Sequence, residues 1–376
     1  MSGAVSGIHM RNRVGPALRE RLRESADLAE VSGEPDRDLL KELRASGLLA
    51  AAVPREFGGA GSDPAEVNAI VEELATLNPS MAIIAFQHFA VSARVAEWGT
   101  RRQRETLLPR LADGGCLAAS AWSETGAGAA KRHLGSTGTR RADGSWVLNG
   151  AKSFTTGASV ADVYLVLVQS EEPEEGAEGV YGGSGQTFFL VGSDNPGIVP
   201  DLSLDLVGMR GSATGFVSLS ECVVQDADRL GEEGRAPEII AGVRESGATL
   251  GAVAVGAAQS AFDLALQHLR RRGLLDKPQV RHRVTELATR LEAARAIVER
   301  AGARTAPDPG LTTLHSKLHS SAAAEEICLD VARMLGSAGY TTGARLNRIL
   351  ADTRAVALMG PTNDVCRELV AVSWPS

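Results

Sequence analysis

The chain lacks several features that would assign a protein of 376 residues to a class at once. No run of about 18 apolar residues is long enough to cross a bilayer, and no basic start followed by an apolar stretch indicates a signal peptide. Lys and Arg, at 39, are outnumbered by Asp and Glu, at 46. The net charge of -7 argues against nucleic-acid binding, which needs a basic face. These absences predict a cytoplasmic protein with no membrane or nucleic-acid partner.

Cysteine is also scarce. The four cysteines are far apart and form no CxxC pair, which argues against zinc or another metal site. We interpret them as reduced, mostly buried thiols: Cys116, Cys222, Cys328 and Cys366. The hydrophobic content of 44% and the charged content of 23% are typical of a globular chain. The length indicates two or three packing units with a substantial core.

The spacing of apolar residues changes twice along the chain. It is helical to about residue 115, has a period of two with Gly, Pro and Asn punctuation to about residue 230, and is helical again afterwards. The pattern predicts an α+β fold with a helical domain at 1–115, a β domain at 116–230 and a helical domain at 231–376. Four helical segments in the last part predict a four-helix bundle, and the first of them is rich in small residues that permit close packing.

Two segments of the β region indicate a ligand. Residues 121–128 read Ala-Trp-Ser-Glu-Thr-Gly-Ala-Gly, where small residues let backbone N–H groups and the Ser123 hydroxyl approach a ligand closely. Residues 146–158 predict two strands joined by a turn at Asn149 and Gly150, because an Asn-Gly pair between alternating residues is a strong hairpin signal. Together these segments predict a wall for a flat ring with polar edges.

Both segments resemble the middle domain of the acyl-CoA dehydrogenase superfamily. Its patterns are roughly Thr/Ser-Glu-Pro-x-Ala-Gly-Ser-Asp and Asn-Gly-x-Lys-x-Trp-Ile-Thr-Asn, and this chain departs from them at Thr125, Ala129, Ala130 and Gly157. The resemblance continues on both sides over nearly the whole chain. It implies an N-terminal helical domain, a β-barrel-like middle domain and a C-terminal four-helix bundle that assembles into a homodimer or homotetramer.

The resemblance also implies FAD as cofactor and a set of residues that hold it. Ser123 would bond the pyrimidine side of the flavin, Thr156 would bond its N5 region, and Phe154 stands where the family usually stacks a Trp. The implied set is Trp122, Ser123, Gly128, Phe154, Thr156, Arg270, Arg333, Gly336, Thr362 and Asp364. The segment after Arg270 is about four residues shorter than in the family and lacks its Phe. FMN or a loosely bound reduced flavin is therefore an alternative, and Arg270 belongs either to the diphosphate site or to a solvated basic face.

The family's catalytic carboxylate has no counterpart in the sequence. Dehydrogenation of a thioester removes a proton from the carbon α to the carbonyl, which requires a base beside the flavin. The usual Glu position falls on Gly360 and the alternative position on Ser246. Glu245 is one residue away, about 100° around a helix, and is a weak candidate. His88 is interpreted as a core histidine or, less favourably, as a pocket residue and a weak catalytic candidate.

Gly360 is expected to leave room for a bulky substrate or a flavin–oxygen adduct. Its neighbours Met359 and Pro361 are apolar, so a carboxylate introduced at this position is expected to have a raised pKa.

Three functions are consistent with this pattern. The first is an FAD-dependent oxidoreductase acting on an acyl thioester of CoA or a carrier protein, or on a related small molecule, in specialised metabolism. The second is a flavin-dependent monooxygenase that uses separately reduced flavin and O₂ through a C4a-hydroperoxyflavin, as the missing Glu and Phe154 favour. The third is a catalytically silent scaffold of the same fold. An acyl carrier protein, an electron-transfer protein or a flavin reductase are the partners that these functions imply.

Overall fold

The N-terminal part is helical, as predicted. The computed structural model describes residues 13–173 and 180–374. The first five helices are α1 (Pro16–Ser32), α2 (Arg37–Ala45), α3 (Pro64–Leu77), α4 (Pro79–Trp98) and α5 (Arg101–Ala112). α3 and α4 supply much of the central apolar core, and α4 packs against the first strand of the middle domain.

Side-chain caps explain where these helices begin. Asp36, Asp63 and Asn78 each accept a hydrogen bond from the backbone N–H three residues further along, which satisfies a donor that the first turn leaves free. Thr100 and Gln103 form a reciprocal capping box at the start of α5. The sequence therefore encodes the helix starts locally.

The middle domain is a mixed sheet. Its strands are β1 (Ala118–Ala121), β2 (Thr137–Arg140), β3 (Trp146–Thr155), β4 (Val163–Gln169), β5 (Gln186–Gly192), β6 (Ile198–Asp201), β7 (Gly215–Val224) and β8 (Arg229–Leu230). Among the described strands the order is β6-β7-β3-β2-β4-β5-β8, and β1 pairs with β4 in parallel. β4 and β5 are almost wholly buried and form the centre of the domain.

The hairpin predicted at Asn149 and Gly150 is wrong. β3 passes through both residues without turning, and its register with β7 shifts between Leu148 and Gly150, as in a β-bulge. A Cβ on Gly150 would lie 2.6 Å from Ser136 Cα, and the Gly150 φ is 136°, so only glycine fits. Asn149 exchanges two hydrogen bonds with Glu221 across the bulge, at 2.9 and 2.8 Å. A bulge and a turn use the same residues, and local sequence does not distinguish them.

The C-terminal part is again helical, and two of the four predicted helices are each divided into two shorter ones. They are α6 (Ala236–Glu245), α7 (Gly251–Arg271), α8 (Pro278–Ala303), α9 (Pro309–Leu335), α10 (Arg345–Leu358) and α11 (Asn363–Ala371). The first predicted helix is interrupted near Gly247, which has a left-handed φ of 82°. The last predicted helix is interrupted at Gly360 and Pro361. α7 to α10 pack together as the predicted bundle, and both interruptions lie beside the cavity described below.

The two helical domains share one core. A Cβ on Gly256 of α7 would lie 2.3 Å from Glu72 O and 2.6 Å from Ala75 Cβ of α3, so the two helices approach closely. Beside this contact Arg295 Nε donates to Glu72 Oε1 at 2.8 Å in a buried ion pair. The predicted order of helical, β and helical domains is confirmed.

Within residues 13–173 and 180–374, no helix is long and apolar enough to cross a membrane. The same residues contain no group of three or more His, Cys, Asp and Glu side chains placed to hold a metal ion. All four cysteines are buried and unpaired, as expected.

Candidate functional site

The structure brings the two predicted ligand segments together. Ser153 N donates to Ser123 O at 2.8 Å, which places Ser123 beside the end of β3. Phe154 has a left-handed φ of 51°, and its side chain is 63% exposed. Thr156 is buried and accepts a hydrogen bond from Thr214 Oγ1 at 3.3 Å, so its own hydroxyl proton can be donated elsewhere. We name Ser123, Phe154 and Thr156 the flavin wall.

A buried ion pair holds the flavin wall together. Lys152 Nζ lies 2.5 Å from Glu124 Oε1, and the Lys152 side chain is fully buried. Gly135 N and Ser136 N donate to Glu124 at 2.6 and 3.2 Å. Burial raises the pKa of Glu124, but Lys152 and these donors outweigh burial and lower it. Sequence reasoning did not single out this pair, although both residues belong to the patterns that carry the resemblance.

A cavity of about 470 Å³ reaches Trp122, the residue that precedes Ser123 of the flavin wall. α6, α9 and α11 form one side of it, and the middle domain contributes Trp122, Val180 and Tyr181. Trp122 packs against Phe188 with ring centroids 4.9 Å apart and immediately precedes Ser123. Most of the remaining lining is apolar and includes Phe86, Leu250, Leu311, Leu314 and Leu369. The volume and lining are those of a small-molecule site.

The two positions where the family carries its Glu differ in their surroundings. Gly360 lines the main cavity, as does Glu245, whereas Ser246 lines a separate smaller cavity. The 100° offset of Glu245 from the alternative position assumed a continuous helix, but α6 ends at Glu245, and Glu245 lines the main cavity. The Glu245 carboxylate is half-exposed near Arg244 and lies against Gly310 of α9.

The space beside Gly360 contains two polar groups that sequence reasoning missed. A Cβ built on Gly360 would lie 3.0 Å from Lys131 Nζ and 3.2 Å from the Tyr181 hydroxyl oxygen. Lys131 Nζ donates to that oxygen at 3.0 Å. The expectation of empty, apolar space at Gly360 is therefore wrong. A carboxylate introduced there would face an ammonium, which lowers its pKa instead of raising it. No local pattern marks Lys131, because its position depends on the fold of residues 126–135.

Lys317 of α9 holds the backbone on both sides of Gly360 by hydrogen bonds. Its Nζ donates to Met359 O at 2.8 Å, to Pro361 O, and to Asn363 Oδ1 at 3.4 Å. Burial lowers the pKa of Lys317 to about 8. With three acceptors, Lys317 serves to fix the loop between α10 and α11.

His88 is a core residue. Its side chain is fully buried between α4 and β1, and its Nδ1 accepts a hydrogen bond from Ala118 N at 3.3 Å. Burial lowers its pKa to about 4, so it is neutral. It is not among the residues that line the cavity, which corrects its assignment as a weak catalytic candidate.

The residues predicted for the adenosine side of the cofactor lie at the surface. Short connections make α7, α8 and α9 alternate in direction, so Arg270 and Arg333 lie at the same end of the bundle. Arg333 pairs with Asp330 at 2.6 Å. Gly336, with a φ of 58°, follows directly after α9 and has open space where a Cβ would be. This end of the bundle accordingly presents cationic and glycine residues together, as a diphosphate site would require.

The start of α11 holds the remaining two predicted contacts. Thr362 caps the helix by accepting from Val365 N at 3.4 Å. The Asp364 carboxylate is exposed and pairs with Arg367 at 2.5 Å. Both flavin contacts stay predictions.

The flavin wall fits the cofactor that the resemblance implies. Phe154 presents an uncovered aromatic face, and covering it with a planar ring would bury apolar surface. Cβ atoms built on Gly126 and Gly128 meet nothing within 4 Å, so the backbone beside the wall is open to a close ligand. The Ser123 hydroxyl has no hydrogen bond to any described residue and can bond a ring edge.

Family models match almost the whole chain. The acyl-CoA dehydrogenase N-terminal, middle and C-terminal domain models match residues 8–115, 119–222 and 239–373. The solved FAD complex of PigA has a TM-score of 0.82 and 22% identity, and the match covers 95% of each chain.

Two characterised relatives are similar over most of their length. Cyclohexane-1-carbonyl-CoA dehydrogenase of Geobacter metallireducens is 32% identical over 367 residues, covering 94% of this chain and 93% of the relative. The L-prolyl-[peptidyl-carrier protein] dehydrogenase of Pseudomonas fluorescens is 30% identical over 337 residues, covering 87% of each. The family models and these relatives show that the chain belongs to the acyl-CoA dehydrogenase superfamily.

Proposed function

We propose that this flavin-dependent oxidoreductase uses FAD to oxidise the acyl group of a thioester carried by CoA or by a carrier protein. The observation that carries the proposal is the 470 Å³ cavity, which joins Trp122 beside the flavin wall to Gly360 at the family's catalytic position. When bound, FAD supplies a two-electron acceptor. The similarity to one dehydrogenase named for a CoA thioester and one named for a carrier protein supports a thioester substrate.

Different residues of the chain have different roles in this function. Ser123 and Thr156 orient the flavin by hydrogen bonds to its edge, and Phe154 covers one face. The apolar side chains Phe86, Leu314 and Leu369 exclude water from the acyl group, which strengthens every polar contact in the cavity. Arg270, Arg333 and Gly336 receive the adenosine half of FAD, in a homodimer or homotetramer. An electron-transfer protein reoxidises the flavin.

The test is anaerobic mixing of the yellow holoprotein with a panel of acyl-CoA and acyl-carrier-protein thioesters. Loss of the flavin absorbance with formation of an unsaturated product supports the proposal. A holoprotein that stays oxidised with every thioester contradicts it. A purified protein that binds no flavin when FAD is supplied would instead support a binding scaffold.

A flavin-dependent monooxygenase is the second candidate, because the cavity has no carboxylate at Gly360. Its test is the same panel under ¹⁸O₂ with a flavin reductase and NADH. Substrate-dependent incorporation of ¹⁸O, without anaerobic bleaching, would favour this candidate over the dehydrogenase.

A further inference from the structure

We propose that Lys131 is the catalytic base of this protein and that Tyr181 positions it. In the proposal the Lys131 ε-amine removes the α proton of the thioester substrate at the place that Gly360 leaves open. The inference rests on the proposed thioester oxidation and supplies the base that the sequence lacks at Gly360 and Ser246.

The amine occupies the volume of the missing side chain. Lys131 Nζ lies 3.0 Å from the Cβ position of Gly360 and 3.0 Å from the Tyr181 hydroxyl oxygen. A glutamate at position 360 would extend from that Cβ into the same space. Gly360 and Tyr181 line the cavity, and Lys131 lies directly behind them without lining it itself, on the side where the family places its carboxylate.

The backbone around Lys131 is fixed. Gln186 Nε2 donates to Lys131 O at 2.7 Å, and Gly182 N donates to Ala130 O at 2.8 Å. These contacts tie residues 130–131 to the segment that carries Tyr181. The amine and the phenol therefore move as one unit, which is the preorganisation that a general base requires.

The charge around Lys131 favours the neutral amine. Among residues 13–173 and 180–374 no carboxylate lies within ion-pair distance of Nζ, and the side chain is 3% exposed. Burial lowers the pKa of Lys131 to about 8. The charged or titratable groups around it are Tyr181, Lys152 of β3, Lys317 of α9 and Cys366 of α11. The two lysines disfavour a further positive charge.

The other buried lysines cannot take this role. Lys152 is held in an ion pair with Glu124, and Lys317 donates to three oxygens around Gly360. Among the described residues Lys131 makes one hydrogen bond, to the Tyr181 hydroxyl, and no ion pair.

The step is a proton transfer. The Cα–H bond of the substrate breaks and an N–H bond forms at Lys131, which becomes an ammonium. The electron pair of the broken bond moves onto the thioester carbonyl as an enolate. In D₂O the reverse transfer returns deuterium to the α carbon, so the step is observable without net oxidation.

The experiment measures α-deuterium exchange and turnover of thioesters by FAD-loaded protein. Lys131→Met should lower both by about 10²–10⁴-fold, the usual loss when a general base is removed. Flavin content should stay the same. The matched control is Lys41→Met, because Lys41 is exposed on α2, and it should match the wild type. Gly360→Glu, added to Lys131→Met, should restore part of the exchange.

Two readouts separate a base from a structural role. The exchange rate of the wild type should rise with pH through a pKa near 8, and this dependence should be absent in Lys131→Met. In Lys131→Ala, small primary amines should rescue exchange in proportion to their basicity. In protein labelled with [ε-¹³C]lysine, which contains five lysines, a resonance titrating near pH 8 should disappear in Lys131→Met.

The outcomes distinguish the two proposals. If thioester oxidation is unchanged in Lys131→Met, Lys131 is not the base, and the proposed function still holds. If α-deuterium exchange depends on Lys131 but no thioester is oxidised, Lys131 is supported as the base and the proposed function is contradicted. If the wild type neither oxidises thioesters nor exchanges their α protons, both proposals are overturned.

Discussion

Two buried lysines of the middle domain have opposite surroundings. Lys152 behind the flavin wall has a carboxylate partner, Glu124, which itself accepts from two backbone N–H groups. Lys131, behind Gly360, has only the Tyr181 hydroxyl as a hydrogen-bond partner among the described residues. Both are buried and both belong to the middle domain. They differ in whether the fold provides a counter-charge.

The difference distinguishes a buried charge that fixes the geometry of the chain from a buried amine that takes part in catalysis. A buried ammonium with a counter-ion and satisfied hydrogen bonds fixes the geometry of the chain, and removing one partner leaves the other charge uncompensated. A buried ammonium without a counter-ion is costly, and folding tends to favour its neutral form. That cost is retained at functional sites, where a neutral amine near physiological pH can accept a proton. The following predictions test this distinction, beginning with the largest effect.

Lys152→Met should destabilise the protein strongly. It leaves the buried Glu124 carboxylate without its cation, and breaking a buried pair in this way typically costs about 3–5 kcal/mol. Urea denaturation of the apoprotein at pH 7 measures the change. The double variant Lys152→Met, Glu124→Leu should recover part of the loss, because it removes the remaining charge as well. A single variant as stable as the wild type would show that the ion pair does not hold the wall.

Lys131→Met should leave the stability at pH 7 unchanged or higher while turnover falls. The pKa of Lys131 is lowered to about 8 in the folded state from an ordinary value of about 10.4. Between these values the unfolded chain binds the proton and the folded chain does not, so the free energy of unfolding rises with pH over that window. Relative to Lys131→Met, the free energy of unfolding of the wild type should increase by on the order of 3 kcal/mol from pH 7.5 to 10.5.

Urea denaturation across this pH range checks the prediction. Lys41→Met is the control, since Lys41 is exposed and its removal should give a parallel curve. A Lys131→Met curve parallel to the wild type would mean that Lys131 is fully charged in the fold, contrary to the proposed base.

Substitutions in the flavin wall should have smaller effects. Ser123→Val and Thr156→Val each remove one hydroxyl predicted to bond the flavin edge, and a hydrogen bond of this kind contributes about 0.5–1.5 kcal/mol. FAD affinity, measured by fluorescence titration of apoprotein, should fall about two- to tenfold for each. Val has nearly the shape of Thr, so the fold should persist. Wild-type affinity and spectrum in both variants would show that the flavin lies elsewhere.

The sequence predicted the order of domains because that order depends on local pattern. Caps such as Asp63 and Thr100 and the period-two strands act over a few residues. The Asn149–Gly150 bulge, the end of α6 before Ser246, and the approach of Lys131 to Gly360 depend on contacts between distant segments. The last two decide which groups surround Glu245 and Gly360, so the site was less predictable than the fold.

Glu245→Gln should have the smallest effect. Glu245 is the other weak candidate besides His88, and it lines the cavity. Its carboxylate is 48% exposed and lies near Arg244, against the first turn of α9. The variant should therefore keep thioester turnover within about tenfold of the wild type, since loss of a true base costs about 10²–10⁴-fold. Steady-state kinetics of Glu245→Gln and Lys131→Met, measured side by side, decide between the two candidate bases. A larger loss of turnover in Glu245→Gln than in Lys131→Met would identify Glu245 as the base.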